Sequence, residues 1–461
     1  MVDAPSPREV RTYRAWGAAR RVTDGVRDPA FRELLQLIDG GPMHQCPPPV
    51  LLPDGAQAFR TMIEAIDAAL EEVLLETYIL RDDTLGESVQ QALVRAAARG
   101  VRTYVLADAV GSMGTRDRFW DALTEQGVVV RHFHRVWHHP FEALRRDHRK
   151  LLVCDRRVSF TGGMNIGEEY GSSILARHDV WRDTFVQIEG SVARELAAVF
   201  AEGWDRARGP TLPGLEYVSW SDASDTSPQQ NVSASGTRAL QPGLQGAVQR
   251  QVQRQLGRQR DRRRGRRVRR VIDVAAPDDR AVLVLDPRPG RGQREMLSVL
   301  SALLGGARER LWITTPYFAP PTRALSFLLT AARRGVDVRL LLPSERTDMA
   351  LIRHAAHGTY RTLLESGVRI FEYERATLHA KTMVIDGHVS LIGSSNLDFR
   401  SFWLNAECNV LVFDSACASA LERCFQADIA DSREITMDAW RQRTWLHRVF
   451  DRTARALRWA L

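Results

Sequence analysis

One script runs through this chain twice, and that duplication constrains its fold more than any other feature. The first pass places an amphipathic helix near 57–72, an apolar strand over 73–80, a second helix ending at 96–102 and a strand over 103–107. The segment 125–131 then leads to Asp147-His148-Arg149-Lys150. The second pass opens with a helix near 293–308 and a strand over 311–318, followed by 331–337 and a strand over 338–342. There 365–371 leads to Leu378-His379-Ala380-Lys381. Tyr78 and Tyr317, Gly100 and Gly335, Gly127 and Gly367, and His148 and His379 are offset by 239, 235, 240 and 231 residues. Such steady offsets predict two homologous halves, and strands alternating with helical patterns make each half an α/β layer structure.

A short polar motif closes each pass. The first reads His148-x-Lys150-x4-Asp155 and is followed by Gly162, Gly163 and Asn165. The second reads His379-x-Lys381-x4-Asp386 and is followed by Gly393, Ser394 and Asn396. Residues i and i+2 of a strand project to the same face, so the His and Lys of each motif point together. The apolar runs 151–154 and 382–385 continue each motif as buried strand. Gly-rich turns beyond them let backbone approach a ligand, with Asn available to bind a phosphoryl oxygen. Gly163 stands opposite Ser394 in the repeat, which predicts a hydroxyl contact on one side only.

Phosphodiester transfer without a metal needs a nucleophile at phosphorus, an acid for the leaving alkoxide and positive charge over the equatorial oxygens. Two imidazoles can divide the first two tasks, one neutral and one protonated, because imidazole titrates near neutrality. Two lysines and two asparagines can supply the third. One half alone holds a single motif histidine, so the chemistry requires both. Lysine usage points the same way: of 64 basic Lys and Arg residues, only Lys150 and Lys381 are Lys. A compact ammonium fits beside a tetrahedral phosphate where the broad guanidinium fork does not.

Charge is concentrated rather than spread. The chain carries +8, but 250–270 alone holds eleven Arg against one acid, Asp261. That tract reads either as a solvated flexible run or as an attractor of anionic lipid, with nucleic acid as a weaker rival. Before it, 219–246 is rich in Ser, Gln, Gly, Asp and Pro and reads as a disordered linker. Five cysteines, an odd number without a CxxC pair, argue against a disulfide scaffold and a zinc ribbon. The N-terminal stretch lacks the apolar core of a signal peptide, and no uncharged apolar run approaches the ~20 residues of a membrane span. His132, His134, His138 and His139 cluster before the first motif without accompanying ligands at metal spacing, and read as a substrate-side loop. In 440–461 the apolar and Arg residues segregate to different helical faces. This stretch reads as an interfacial helix anchored by Trp440, Trp445 and Trp459, or equally as a helix packed on the enzyme's own body.

The paired motifs resemble the phospholipase D superfamily, and their surroundings resemble bacterial cardiolipin synthases of the type lacking N-terminal transmembrane helices. Leu51-Leu-Pro-Asp-Gly55, Glu76-Thr-Tyr-Ile-Leu80, Thr315-Pro-Tyr-Phe318 and Arg400-Ser-Phe-x-Leu-Asn-x-Glu407 carry the second likeness. The resemblance implies two homologous phospholipase D-like α/β domains, each a mixed β-sheet flanked by helices, related by a pseudo-two-fold with the active site between them. The expected layout is an N-terminal extension (1–47), a first domain (48–215), a linker with the Arg tract (216–279), a second domain (280–435) and a basic amphipathic C-terminal helix (436–461). It further implies a phosphohistidine intermediate: His148 attacks, and His379 protonates the leaving group and then activates the incoming alcohol. Asp183 and Glu407 stand where an acid orients each histidine. Asn165, Asn396, Gly163 and Ser394 are implied to hold the phosphate, while Asp155 and Asp386 read as structural. The implied reaction is phosphatidyl transfer between two phosphatidylglycerol molecules, without metal or organic cofactor, by a peripheral enzyme of the bacterial cytoplasmic membrane. Transfer to water or to another alcohol, and cleavage of a nucleic-acid phosphodiester, remain open alternatives.

Overall fold

A computed structural model of the protein describes residues 7–133, 145–171, 180–215, 280–288 and 293–443. The linker, the Arg tract, His134, His138, His139, Trp445 and Trp459 lie outside the described residues. The first half contributes strands β1 (Met43–His44), β2 (Val50–Leu52), β3 (Glu72–Thr77), β4 (Arg102–Asp108), β5 (Val129–Phe133), β6 (Leu151–Cys154), β7 (Val158–Gly162) and β8 (Phe185–Glu189). The second half contributes β9 (Ala281–Leu285), β10 (Arg310–Thr314), β11 (Asp337–Pro343), β12 (Arg369–Tyr373), β13 (Thr382–Ile385), β14 (Val389–Gly393), β15 (Asn409–Phe413) and β16 (Ser432–Ile435).

The duplication is written into the sheets. One runs β2-β8-β7-β6-β3-β4-β5, and the other contains the same order, β9-β15-β14-β13-β10-β11-β12. To this second sheet β1 is added beside β9, and β16 beside β12. In each half the three strands joined by helices are parallel, whereas the motif strand and its hairpin partner are antiparallel. That mixture follows from connection length, because only tight turns link β6 to β7 and β13 to β14.

Alternation along the strands distributes side chains to three cores. Val73 and Leu75 point to the outer face of the first sheet, covered by helices Gly55–Ala68, Thr84–Ala98 and Asp117–Glu125. Leu311 and Ile313 do the same in the second half, under helices Gln293–Gly306, Thr322–Arg333 and Ala350–Glu365. The inner faces meet in one shared core, where Leu74, Val153 and Val186 join Val282, Val384 and Val412. Helices Ser191–Arg206 and Ser415–Ala430 contribute Leu196, Phe200, Leu421 and Phe425 to it. Each such fully buried side chain stabilises the fold by roughly 1.5–3 kcal/mol, so this core binds the halves to each other.

The residues expected as an N-terminal extension are built into the second half. Helices Pro7–Arg21 and Pro29–Asp39 bring Ala19, Phe31 and Leu35 into its outer core, and β1 pairs with β9. Trp16 stacks on Phe327, and Arg27 pairs with Glu309. Hydrophobic residues in a short N-terminal segment were no guide to which half they would cover. At the other end, Trp440 is buried against His357 and Tyr360. At this residue the stretch packs on the enzyme's own body, the second of its two readings, and Trp440 is not an exposed anchor.

Arg149, the unspecified position of the first motif, is fully buried and joins the halves electrostatically. Its guanidinium meets Glu202 at 2.7 Å, Asp286 of the second half at 2.5 Å and Glu76 at 3.4 Å. Burial opposes its charge, but Asp286, Glu202 and Glu76 outweigh that and hold the guanidinium protonated well beyond its ordinary range. Removing one member of a buried ion network leaves the others uncompensated. Arg149→Ala is accordingly expected to lower stability by about 3–5 kcal/mol, read from its urea unfolding midpoint beside that of the wild type.

Candidate active site

Each strand that the sequence extends to 80 or to 318 stops early, at Thr77 and Thr314. The chain leaves the sheet there and lays Tyr78 edge-on to His148, ring centroids 5.1 Å apart, and Tyr317 edge-on to His379 at 6.3 Å. Both motifs begin just before their strands, β6 and β13. Two isolated parallel bridges hold them across the halves, Asp147 to Ala406 and Arg182 to Leu378. His148 N donates to Ala406 O at 2.9 Å, and His379 N donates to Arg182 O at 2.8 Å.

Ala406 and Arg182 immediately precede Glu407 and Asp183. The bridges therefore exchange the acids between halves: His148 Nδ1 lies 2.8 Å from Glu407 Oε2, and His379 Nδ1 lies 2.7 Å from Asp183 Oδ2. Lys150 Nζ donates to His148 O at 2.7 Å, and Lys381 Nζ donates to His379 O. Lys381 Nζ also lies 2.7 Å from His379 Nδ1. The histidines, lysines and acids form one electrostatic cluster, since Lys381 bears on His148 and both Lys150 and His148 bear on His379. All six are buried; His148 keeps 8% of its surface exposed and His379 4%.

Burial sets the protonation of this cluster. It lowers both imidazoles, His379 more strongly because Lys381 adds to the effect, whereas Glu407 partly restores His148. Desolvation brings Lys150 down to about 7 and Lys381 down to about 8, the latter against the pull of Asp183. Asp183 is raised by burial to about 6. Burial also opposes ionisation of Glu407, but His148 and Lys150 outweigh it and leave that carboxyl below its usual range.

The turn residues explain the difference between the halves. Gly163 leaves no room for a side chain: a Cβ there would lie 2.2 Å from Asp183 Oδ1. Ser394, its counterpart, donates to the longer Glu407 at 2.6 Å. Glu407 also accepts from Ser401 at 2.8 Å and Asn405 at 3.3 Å. Asn165 Nδ2 donates to Tyr170 OH at 3.1 Å, and Asn396 N donates to Ser401 Oγ at 3.0 Å. The carbonyl oxygens Asn165 Oδ1 and Asn396 Oδ1 are buried with no partner in the protein; as acceptors they suit a substrate hydroxyl and not a phosphoryl oxygen. The motif aspartates stand apart from this cluster. Asp155 accepts from the backbone N–H of Leu70, Glu71 and Glu72 at 2.9, 2.8 and 2.9 Å. Asp386 does the same for Arg308, Glu309 and Arg310 at 2.9, 2.8 and 2.9 Å. Each clamps the entry to the central strand of its sheet, and both adopt φ 52, which Asp tolerates.

The sequence alone assigns no role at the site to Tyr170, Trp181, Ser401 or Asn405. Tyr170 OH lies 3.1 Å from His379 Nδ1, and the Trp181 ring lies 5.3 Å from the His379 ring. Position supplied the missing signal: Tyr170 and Ser401 are 231 residues apart, as are His148 and His379. Of the histidines before the first motif, His132 packs edge-on against Trp120 at 4.7 Å.

Residues 62–204 and 300–429 both match the family model described as cardiolipin synthase, PLD-like domain. The chain belongs to that family. Cardiolipin synthase A of Pseudomonas entomophila is 34% identical over 88% of this chain and 74% of its own length. Cardiolipin synthase 1 of Bacillus anthracis is 29% identical over 96% of this chain and 78% of its own. The crystal structure of phosphatidylserine synthase from Haemophilus influenzae superposes with a TM-score of 0.64, covering 94% of this chain and 100% of that one at 16% identity. That likeness establishes a shared fold.

The Gly163 contact yields a direct test within this cardiolipin synthase-family site. Gly163→Ala must push the Asp183 carboxylate away from His379, and a displacement near 1 Å costs about 100-fold in rate. Steady-state turnover of Gly163→Ala should fall by that order while its thermal unfolding midpoint stays within a few degrees of wild type.

Proposed function

We propose that this chain transfers a phosphatidyl group from one phosphatidylglycerol to a hydroxyl of another, forming cardiolipin and releasing glycerol. The exchanged acid–histidine pairs carry the reading: with each Nδ1 against its acid, each Nε2 is the nitrogen that can face a phosphorus, that of His379 with Lys381 Nζ 3.0 Å beside it. The enzyme's place is the surface of the bacterial cytoplasmic membrane, where both substrates reside. Among the described residues no helix is long and apolar enough to cross a membrane.

In the first half-reaction His148 Nε2 attacks phosphorus and forms a P–N bond. The P–O bond to the glycerol headgroup breaks, and its alkoxide takes a proton from His379. In the second, His379 takes the proton of an incoming phosphatidylglycerol hydroxyl, whose oxygen attacks the phosphohistidine; the P–N bond breaks and His148 is restored. Lys150 and Lys381 stabilise charge on the non-bridging oxygens throughout.

The surroundings of the rings support this division. His148 Nδ1 faces an ionised Glu407, which holds it as the donor and keeps a lone pair on Nε2. His379 Nδ1 faces Asp183, and Lys381 Nζ lies 2.7 Å and 3.0 Å from its two nitrogens, so this is the ring with a proton source against it.

Two outcomes are expected. His148→Ala abolishes transfer, and Lys381→Arg lowers it by about 100-fold or more with the fold intact, measured as cardiolipin formed from phosphatidylglycerol vesicles by mass spectrometry. Wild-type rates in Lys381→Arg would contradict the role of the ammonium. For pH, both lysines are lowered, so their charge is lost as pH rises through about 7 to 8. The free-enzyme profile, kcat/KM, should decline across that range. In kcat the decline should come at higher pH, because a bound phosphate stabilises the ammonium forms.

A further inference from the structure

Beside His379 stand a phenol and a carboxylate that phosphoryl transfer itself does not use. The Tyr317 ring lies edge-on to His379 at 6.3 Å. Its hydroxyl donates to Oδ2 of Asp348, an exposed residue of the loop between β11 and helix Ala350–Glu365. Burial, with Asp348 and Asp398 adding to it, holds this phenol protonated far beyond its ordinary range, so the hydrogen that fixes Asp348 is always present. The bond engages one carboxylate oxygen, and a carboxylate offers about four lone-pair sites, so Asp348 keeps the capacity to accept further hydrogens. Burial lowers both His379 and Lys381, and the charge of Asp348 works against that lowering on each.

An acid in that place limits what a substrate can present to it. A carboxylate repels phosphoryl oxygens, which belong with the two lysines, and it is best satisfied by a group that donates a hydrogen. In phosphatidyl transfer His379 serves the alcohol oxygen, first of the departing headgroup and then of the incoming hydroxyl, so the alcohol lies on the side of Asp348. A glycerol headgroup carries two free hydroxyls, the donors such an acid requires. The first half is built otherwise. Its matching loop, 109–115, contains no acid, and its Ser112 is spent on backbone: Oγ donates to Tyr78 O at 3.2 Å and accepts from Leu80 N at 3.1 Å. Burial raises the Tyr78 phenol as it does that of Tyr317, but there Arg146 and Arg400 pull against it.

We propose that Asp348, held by the Tyr317 phenol, accepts hydrogen bonds from the free hydroxyls of a polyol headgroup and so selects phosphatidylglycerol over lipids whose headgroup has nothing to donate. The proposal rests on the phosphatidyl-transfer reading and names the feature of the substrate that the alcohol side of the site recognises. The buried acceptors Asn165 Oδ1 and Asn396 Oδ1 call for donors from the substrate in the same way.

Phosphatidylpropanol tests this, because it keeps a three-carbon headgroup and lacks both free hydroxyls. With enzyme in excess over vesicle lipid, glycerol released from phosphatidylglycerol and propanol released from phosphatidylpropanol are each followed through a single turnover. The ratio of the two rates cancels any effect of Asp348 on Lys381 and His379, which both lipids feel alike. In Asp348→Ala the glycerol-to-propanol ratio should fall by about 10- to 100-fold, the loss of one charge-assisted hydrogen bond. Tyr317→Phe, which keeps the ring and releases the carboxylate, should lower the ratio by a smaller factor. Thermal unfolding midpoints should stay within a few degrees of wild type; Asp348→Asn, which keeps the shape and loses the charge, should move the ratio the same way and replaces the alanine variant if that one is unfolded. An unchanged ratio in a folded Asp348 variant, whether or not both rates fall, would overturn the assignment alone. Wild-type protein that releases neither alcohol would overturn the phosphatidyl-transfer reading, and the assignment with it.

Discussion

Backbone hydrogen bonds between the halves make this site possible. His148 N to Ala406 O and Ala406 N to Arg146 O close one parallel bridge, and Arg182 N to Thr377 O and His379 N to Arg182 O close the other. Each bridge ties the segment that enters one motif to the segment that carries the other half's acid. Neither half therefore contains a finished acid–histidine pair. A histidine separated from its partner domain would lose the carboxylate that orients it, so catalytic competence and association of the halves are one structural event.

The rest of the architecture serves to keep that exchange in register. The shared core leaves no solvent layer between the inner sheet faces, and Arg149 reaches Asp286 through it. The motif aspartates act at a distance of one strand length: each fixes three N–H groups at the entry of β3 or β10, the strand whose other end delivers Tyr78 or Tyr317 to a histidine. A carboxylate at the start of a strand thereby positions an aromatic ring at its end. The helices before β1 brace the second half from outside, and Asp386 O accepts from Arg27 at 2.6 Å, so even this N-terminal segment touches a motif residue.

Much of this was legible in the sequence because it is periodic. Repeated landmarks at near-constant offset gave two halves, and the sheet orders are the same in both. Strand alternation put each His and Lys on one face. What stayed hidden depends on three-dimensional exchange. Spacing alone places Asp183 closest to His148 and Glu407 closest to His379, yet the fold pairs them the other way. Arg149 occupies a variable motif position and carries no local sign that three acids will converge on it. Tyr170 and Ser401 differ in chemistry, so a search for conserved likeness between the repeats passes over the position where they matter through their difference. Residues 29–39 likewise show amphipathic pattern without stating which sheet they cover.

The two lysines complete the physical account. Both are buried, at 1% and 4% exposure, among groups that must change charge during a reaction. Desolvation brings an ammonium into the neutral range there, so its charge can respond to whether an anion is bound. A guanidinium cannot respond in that way: it stays charged, and an empty buried site would then hold two permanent cations. Its fork would also reach past the carbonyl oxygens of His148 and His379 that each Nζ now caps. In a chain that otherwise uses Arg throughout, Lys persists at the two positions where a compact, removable charge is required.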